Sequence, residues 1–313
     1  MRYRKMGETE LEVSEVGFGV WTLAAAPWRP PPEEEAVALL RLAYAAGITY
    51  YEAGPYGDGR GETLLGRAFS ENREMVILAT KIGSADGRWD AGALRTSLES
   101  SLRRLGTSFV DLLFLQNPPM AALKDDAVFA ALDAFRDEGL VRYHGISLGP
   151  AVGHYEEGMY AIKKRFTACV GHSFSVLEQD PGRLIFTASL EGNSGNVLRG
   201  IHGSGPLAGS YDASLAFTDP EAPAARPAAF LAYAEAAAKS LAWIHEGRGL
   251  TLGQAAIKFC LAEETVHTVL PDIRNAAQLA EYSEAPDKDD YSQQDIGEIA
   301  EQYRKQFGAV KPG

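Results

Sequence analysis

The sequence predicts an α/β protein in which eight parallel strands close into a (β/α)₈ barrel, also called a TIM barrel. Short apolar runs alternate eight times with longer runs of helical period, which favours right-handed crossovers and a parallel sheet. The length of 313 residues suits one barrel domain over residues 1–313. A doubly wound open sheet is the competing fold. It is disfavoured because the first strand leads into an Ala/Pro-rich loop instead of a Gly-rich phosphate turn and helix.

The elements follow in order along the chain. Each predicted strand is a short apolar run: VGFGV, ITYYE, MVILAT, FVDLLFL, YHGISL, TACVG, NVLRGI and TVHTVLP. Each predicted helix has apolar residues three or four positions apart: AVALLRLAYAAG, ETLLGRAF, ALRTSLESSLRRLG, VFAALDAFRDEGL, a segment after Pro150, GRLIFTASLEG, FLAYAEAAAKSLAWI and LGQAAIKFCLAE. Three prolines and then Glu33, Glu34 and Glu35 open the first of these helices, where carboxylates favour the positive end of the dipole.

Three segments lie outside the repeat. The opening stretch, RYRKMGETELEVSEV, alternates polar and apolar residues around Gly7, which predicts a hairpin that caps the barrel floor. Residues 203–228 form a Gly/Ala/Pro-rich loop of a length typical of lids, and we expect it to influence substrate specificity. The tail, DIGEIAEQYRKQF, predicts a terminal amphipathic helix.

Composition narrows the class of protein. A net charge of −12 argues against binding to nucleic acid or to anionic membranes. No apolar run is long enough for a membrane span and no signal peptide is recognisable, so we expect a cytoplasmic protein with a small-molecule substrate, as a monomer or small homo-oligomer. Cys169 and Cys260 lack metal-ligand spacing and are predicted to be buried thiols.

Polar side chains follow several predicted strands, where a parallel barrel carries its active site. They are Trp21, Glu52 with Tyr56, Lys81, Gln116 with Asn117, and Ser147. A lysine close to a tyrosine stabilises the phenolate and makes the phenol a usable proton donor at neutral pH. A carboxylate facing that lysine keeps it charged and oriented. The pattern therefore predicts Tyr56 as proton donor, Lys81 as its activator and Glu52 as the partner of Lys81.

The chain resembles the aldo-keto reductase superfamily over nearly its whole length. The matching stretches are VGFGVW, AAGITYYEAGPYGDGRGETLLGRAF, ILATKIG, SLRRLGTSFVDLLFLQNP, the HGIS turn and LPDIRNAAQLAEY. The resemblance implies a TIM barrel, carbonyl reduction with a nicotinamide cofactor, and a tetrad of Asp, Tyr, Lys and His. The segment from Ser175 to Gly209 further resembles a bacterial subgroup of that family.

The resemblance assigns the catalytic positions with two departures. Glu52 stands for the family's aspartate, in a loop one residue shorter before Tyr56, and its extra methylene can compensate for the shortening. Gln116 stands where the family has histidine. Glutamine can donate a hydrogen bond to a substrate oxygen but cannot titrate. His172 and His202, at the ends of the sixth and seventh strands, are alternatives for that role, although satisfied structural histidines are the commoner case.

The resemblance also implies a cofactor site for NADPH or NADH. The matching positions are Gly19, Ser147, Pro206, Leu207, Arg274, Gln278 and Glu281. The family's other amide contacts are replaced by Leu148 and Gly171, and its closing asparagine by Tyr282. Arg274 could clamp a 2′-phosphate, whereas Asp272 beside it would repel one, which leaves both nicotinamide cofactors open.

Two further predictions concern specificity and function. Trp21, Trp89 and Asn117 are candidates for the substrate pocket, with core packing as the alternative for the two tryptophans. No metal is expected. The leading hypothesis is carbonyl reduction. Its rivals are a cofactor-independent acid/base reaction, such as elimination, isomerisation or cyclisation, and a catalytically silent protein that still holds a nucleotide.

Overall fold

The computed structural model describes residues 1–55, 58–83, 88–149, 154–203, 205–209 and 228–308. The chain begins with an antiparallel hairpin of β1 (Tyr3–Lys5) and β2 (Glu12–Ser14). Three apolar side chains of this segment pack against the inner face of the strands that follow; these are Met6, Leu11 and Val13. The prediction that a hairpin closes the barrel floor is confirmed.

Eight parallel strands follow, each hydrogen-bonded to the next in chain order. They are β3 (Phe18–Gly19), β4 (Tyr50–Glu52), β5 (Ile77–Ile82), β6 (Val110–Gln116), β7 (Val141–Ser147), β8 (Cys169–Ser173), β9 (Gly195–Arg199) and β10 (Val266–Val269). The first and last strands also meet. The Gly17 N–H donates to the Val269 carbonyl at 2.9 Å, and the Val269 N–H donates to the Glu15 carbonyl at 2.9 Å. These bonds close the sheet into the predicted barrel.

Helices surround the barrel between successive strands, and the last two follow β10. They are α1 (Trp21–Ala24), α2 (Glu33–Ala45), α3 (Arg60–Phe69), α4 (Ala91–Leu105), α5 (Met120–Lys124), α6 (Asp126–Asp137), α7 (Tyr155–Arg165), α8 (Gly182–Gly192), α9 (Ala228–Ser240), α10 (Leu252–Leu261), α11 (Ala276–Ser283) and α12 (Gln293–Arg304). The predicted helix FLAYAEAAAKSLAWI is shorter than expected, because α9 ends at Ser240 and a 3₁₀ turn covers Ala242–Ile244. In the described ranges, no helix combines the length and apolarity needed to traverse a bilayer.

The strands separate two buried layers. Side chains that face outward, such as Tyr51 and Leu113, belong to the large core between sheet and helices. Strand residues whose side chains face inward, such as Tyr50, Phe114 and Val197, belong to a smaller core inside the barrel. Because side chains alternate along a strand, Glu52 shares the inner face with Tyr50. We call the carboxyl ends of β3–β10 the barrel mouth.

The predicted lid segment, residues 203–228, lies mainly outside the described residues. Of this segment the structure describes Gly203, residues 205–209 and the first residue of α9.

Candidate active site

A buried ion pair lies at the barrel mouth. The Lys81 Nζ is 2.5 Å from the Glu52 Oε1, and each side chain is only 1% exposed. β4 and β5 are neighbours, with Glu52 opposite Ala79, so the lysine two residues further along reaches the carboxylate on the same face. Removing two charges from water is costly unless they compensate each other, which the short contact achieves. The structure thus brings Glu52 and Lys81 together as predicted from the sequence.

Tyr50 is a third member of this cluster, and the sequence analysis did not single it out. Its hydroxyl donates to Glu52 Oε2 at 3.0 Å, and the ring is fully buried. Burial, reinforced by the Glu52 carboxylate, raises the pKa of Tyr50 well above its usual value of 10.0, so it remains a donor at neutral pH. The sequence could have indicated that Tyr50 lies beside Glu52, because residues two apart on a strand share a face.

Tyr56, the predicted proton donor, lies outside the described residues. The chain is described again from Asp58, shortly before α3. The buried Glu62 of α3 accepts from the Thr80 hydroxyl at 2.5 Å and from Arg104 Nε at 2.5 Å. Thr80 precedes Lys81 in β5, so its contact ties the start of α3 to the strand that carries the lysine, and Arg104 adds a contact from α4.

Trp21 follows β3, the strand next to the one that carries Glu52. A Cβ atom on Gly19 would come within 2.1 Å of the Trp21 ring, so glycine is required for the indole to fold back over β3. The ring centroid is 5.8 Å from Lys81 Nζ, and the indole N–H donates to Asp272 Oδ1 at 3.1 Å. Burial raises the pKa of Asp272 to about 6, although the Trp21 hydrogen bond opposes that rise. Gly19 was predicted to bind cofactor, and the geometry gives it a role in seating Trp21.

Gln116 and Ser147 are direct neighbours in the pairing of β6 and β7 and share the inner face with Gly171 of β8. Asn117, which was predicted to line the substrate pocket, contacts the backbone at the end of β7. Its Oδ1 accepts from the Gly149 N–H at 2.9 Å, and its own N–H donates to the Ser147 carbonyl at 2.8 Å. Asn117 therefore holds the backbone of Ser147 and Gly149 at the end of β7.

Arg199 ends β9 and was not predicted as a site residue. Its Nη2 donates to the Ser147 hydroxyl at 3.0 Å and to the Leu148 carbonyl at 2.6 Å, with the Gly171 carbonyl at 3.5 Å. The sequence could have indicated Arg199 in the same way as Lys81, since a single cationic residue ends the apolar strand in NVLRGI.

The predicted adenosine-side residues meet around α11. Gln278 Oε1 accepts from the Arg274 N–H at 2.9 Å, and Glu281 Oε1 accepts from the Thr251 hydroxyl at 2.5 Å. The Arg274 guanidinium lies 6.0 Å from the Trp28 ring. The side-chain oxygens of Gln278 and Glu281 therefore already accept hydrogen bonds from the protein. Arg274, by contrast, forms no ion pair among the described residues.

The proposed histidine substitutes are buried away from Lys81. His172 Nε2 is 3.2 Å from Asn196 Oδ1, its ring packs on Phe186 outside the barrel, and burial lowers its pKa to about 4. His202 Nε2 is 3.3 Å from the Gly253 carbonyl, its ring packs on Tyr282, and burial also lowers its pKa to about 4. Both occupy structural positions.

The other sequence candidates are placed as follows. Pro206 and Leu207 are buried in a 3₁₀ turn after β9. Trp89 packs against the large outer core, which favours the packing alternative. Cys169 and Cys260 are buried free thiols, as expected. No group of three or more His, Cys, Asp or Glu side chains suited to a metal ion occurs in the part of the chain that the structure describes.

These residues fit a nicotinamide nucleotide at two places. At the mouth, Ser147 and Arg199 present polar groups beside Gly171, and Arg199 Nε is buried without a hydrogen-bond partner. A Cβ at Gly171 would meet Ser147 Oγ only at 3.5 Å, so glycine leaves room there. On the adenosine side, Arg274 has a guanidinium available for phosphate. Tyr282, by contrast, is fully buried where the family's asparagine was expected.

The chain is similar to known proteins over much of its length. The model of the Aldo/keto reductase family matches residues 15–304. The uncharacterized oxidoreductase YqkF of Bacillus subtilis is 33% identical over 159 residues, which are 47% of this chain and 49% of that protein. L-galactose dehydrogenase of Arabidopsis thaliana is 34% identical over 152 residues, or 46% of this chain and 47% of that protein. The chain thus spans about half the length of these curated relatives.

Solved structures share the fold over the full chain. The holo form of aldo-keto reductase AKR11C1 from Bacillus halodurans superposes with a TM-score of 0.78 at 24% identity, covering 100% of this chain and 97% of that one. Glycerol dehydrogenase AKR11B4 from Gluconobacter oxydans gives 0.81 at 18% identity, covering 99% and 98%. Because the family model matches nearly the whole length of a closed eight-stranded barrel, this chain belongs to the aldo/keto reductase family.

Proposed function

We propose that this protein is an oxidoreductase that reduces a carbonyl group with NADPH or NADH. The observation that carries the proposal is the buried Lys81–Glu52 pair at the barrel mouth, at 2.5 Å. An ammonium held in place by a carboxylate stabilises a phenolate close to it, which lowers the barrier to proton release from a phenol. Membership of the aldo/keto reductase family and the donors beside Gly171 support the same assignment.

In the proposed reaction the protein supplies the proton and the orientation. Tyr56 gives its phenolic proton to the carbonyl oxygen, and Lys81 stabilises the phenolate left behind. Glu52 holds Lys81 in position, Tyr50 holds Glu52, and Gln116 orients the substrate oxygen. When bound, the reduced nicotinamide supplies the hydride to the carbonyl carbon, so that the product is an alcohol. Ser147 and Arg199 would hold the nicotinamide end and Arg274 the phosphate-bearing end.

The first test is binding. Titration with NADPH and NADH, followed by quenching of tryptophan fluorescence, should give saturable binding of at least one cofactor. Neutral and charged aldehydes are then assayed by the loss of reduced-nicotinamide absorbance. Absence of binding at millimolar cofactor would contradict the proposal. Turnover by dialysed, cofactor-free protein would favour the acid/base alternative.

The second test isolates the proton donor. Tyr56→Phe should retain cofactor binding and lose about 10² to 10⁴ in kcat, because a positioned acid contributes about that much. Tyr3→Phe, on the exposed hairpin at the floor, is the matched control and should keep wild-type turnover. Equal activities of Tyr56→Phe and wild type would remove Tyr56 from the mechanism.

A further inference from the structure

A cavity of about 340 Å³ lies at the floor of the barrel, the end opposite the mouth. We call it the floor cavity. Its walls come from the hairpin turn between β1 and β2, the end of α6, the start of β7, and the turns that lead into β8 and β9. The volume lies within the range of small-molecule sites, roughly 300 to 1,000 Å³. The lining side chains that bear on its chemistry are Glu8, Arg136, Tyr143, His144, Phe166 and Asn193.

Phe166 borders the floor cavity in a conformation that is unfavourable for this residue type. It ends α7 with φ 50° and ψ 44°, in the left-handed region, and it is 77% exposed. The helices α4 and α8 end in the same conformation with Gly106 and Asn193, which adopt it more readily. An exposed ring gains little from packing within the chain, and strained positions of this kind cluster at binding sites. Phe166 therefore indicates a ligand that covers its ring.

Two lining side chains carry opposite charges without neutralising each other. Glu8 and Arg136 form no ion pair with each other in the part of the chain that the structure describes, although both line the floor cavity. Arg136 pairs only with the exposed Asp133, at 3.1 Å, and an exposed pair of this kind is weak. A ligand that carries both a cationic and an anionic group can therefore pair with Glu8 and with Arg136.

Neutral hydrogen-bonding groups also line the floor cavity. Within the described ranges, neither the His144 ring nitrogens nor the Asn193 carboxamide forms a hydrogen bond. The Tyr143 hydroxyl accepts from the Glu10 N–H at 3.0 Å, which leaves its own hydrogen to donate. Burial lowers the pKa of His144, so its ring is neutral at pH 7 and offers one donor and one acceptor. The floor cavity thus combines an aromatic wall with charged and neutral polar groups.

We propose that the floor cavity binds a small aromatic zwitterion, such as an aromatic α-amino acid, at a site separate from the barrel mouth. The ammonium of the ligand pairs with Glu8, its carboxylate pairs with Arg136, and its ring packs on Phe166. His144 lies near the start of β7 and Ser147 ends that strand at the mouth, roughly 10 Å away along the strand. The ligand is therefore distinct from the substrate and the cofactor of the proposed reduction.

The test compares three ligands that differ in charge. Calorimetric titration of the full-length protein uses L-phenylalanine, 2-phenylethylamine, which lacks the carboxylate, and 3-phenylpropanoate, which lacks the ammonium. Wild type should bind L-phenylalanine saturably at millimolar concentration. It should bind both analogues about fivefold more weakly, because a solvent-accessible ion pair contributes up to about 1 kcal/mol.

Three variants locate the ligand. Glu8→Gln should weaken L-phenylalanine about fivefold without weakening 3-phenylpropanoate, and Arg136→Gln should do so without weakening 2-phenylethylamine. Phe166→Gly should weaken all three ligands and keep a stability close to that of wild type, since glycine favours the left-handed conformation. Glu10→Gln makes the same charge change as Glu8→Gln, two residues along and outside the cavity lining. It is the matched control and should bind as wild type does.

Each outcome decides the inference. Absence of saturable L-phenylalanine binding, or equal affinity for the three ligands, would overturn it. Unchanged binding by Glu8→Gln, Arg136→Gln and Phe166→Gly would overturn it as well, as would displacement of L-phenylalanine by NADPH or NADH. None of these measurements needs turnover, so failure of the inference is distinct from failure of the proposed function. If a variant does not fold, the three ligands and the displacement experiment on wild type still decide.

Discussion

Glu52 Oε1 lies 2.5 Å from Lys81 Nζ inside the barrel mouth, and both side chains are almost completely excluded from solvent. A pair in this environment differs from a surface ion pair because neither charge has water to replace its partner. Loss of one member leaves a buried, uncompensated charge, whereas loss of both leaves an apolar site. This asymmetry makes the pair testable by stability measurements alone, without knowledge of the substrate.

We expect Glu52→Gln to lower the free energy of unfolding by about 3 to 5 kcal/mol, the usual effect of breaking a buried pair on one side. Glu52→Gln combined with Lys81→Met should recover part of that loss, because no buried charge remains. Urea unfolding of the two variants and wild type measures both changes. Glu138→Gln, which breaks an exposed pair with Arg95, is the control and should change stability far less. Equal effects of Glu52→Gln and Glu138→Gln would contradict the burial argument.

A second prediction concerns Tyr50, which donates to Glu52 at 3.0 Å. Tyr50→Phe should lower the free energy of unfolding by about 1.5 to 3 kcal/mol, since the lost hydrogen bond is to a charged group. It should also lower the turnover number on the order of tenfold, because Glu52 then positions Lys81 less firmly.

The neighbouring Tyr51 provides the control for Tyr50. It is equally buried, but its hydroxyl donates to the Ile48 carbonyl at 3.0 Å on the outer face of β4. Tyr51→Phe should therefore lose stability without a comparable loss of turnover. If the two variants show the same ratio of turnover to stability loss, Tyr50 has only a structural role.

The architecture and the Glu52–Lys81 pair were predictable because both follow from local patterns. Apolar runs set the strands, and the ends of parallel strands converge at one face. Tyr50 follows from the same two-residue alternation. The contact between Trp21 and Asp272 could not be predicted, since these residues are 251 positions apart and meet only where β10 closes against β3. Sequence reasoning placed Asp272 beside Arg274, and these two charges do interact; it could not supply the hydrogen bond to Trp21, which needs that closure.

A third prediction tests the close approach of Trp21 to Gly19. Gly19→Ala would put a methyl group 2.1 Å from the indole ring, so the ring must move or the strand must shift. We expect a loss of about 1 to 3 kcal/mol, as for overpacking in a core, with a changed tryptophan fluorescence spectrum. In a Trp21→Ala background the same substitution should have little further effect. Additive losses in the double variant would show that the indole is not what excludes a side chain at position 19.

Gly61→Ala is the control for Gly19→Ala. Its Cβ would lie at ordinary contact distances of 3.5 to 3.7 Å from Ala24, Val20 and Ala53, within helix α3. Because alanine favours a helix over glycine by about 0.5 to 1 kcal/mol, we expect Gly61→Ala to be neutral or stabilising. A large loss for Gly61→Ala would mean that the packing at this end of the barrel is tighter than the distances indicate.

The last prediction follows from the pKa of Asp272, which burial raises from 3.8 to about 6. Between these values the folded protein holds a proton that the unfolded chain has released, so this group lowers stability as pH rises from about 4 to about 6 and no further above that. Asp272→Asn cannot titrate, and its amide oxygen still accepts from Trp21. The free energy of unfolding of the variant, relative to that of wild type, should therefore rise by about 1 to 2 kcal/mol across that range. We take a value below the full pKa difference because the side chain keeps some contact with solvent. Urea unfolding of both proteins at pH 4.5 and pH 7.5 measures the gain. A difference that is the same at both pH values would mean that Asp272 titrates alike in the folded and unfolded states, and that its hydrogen bond to Trp21 balances the effect of burial.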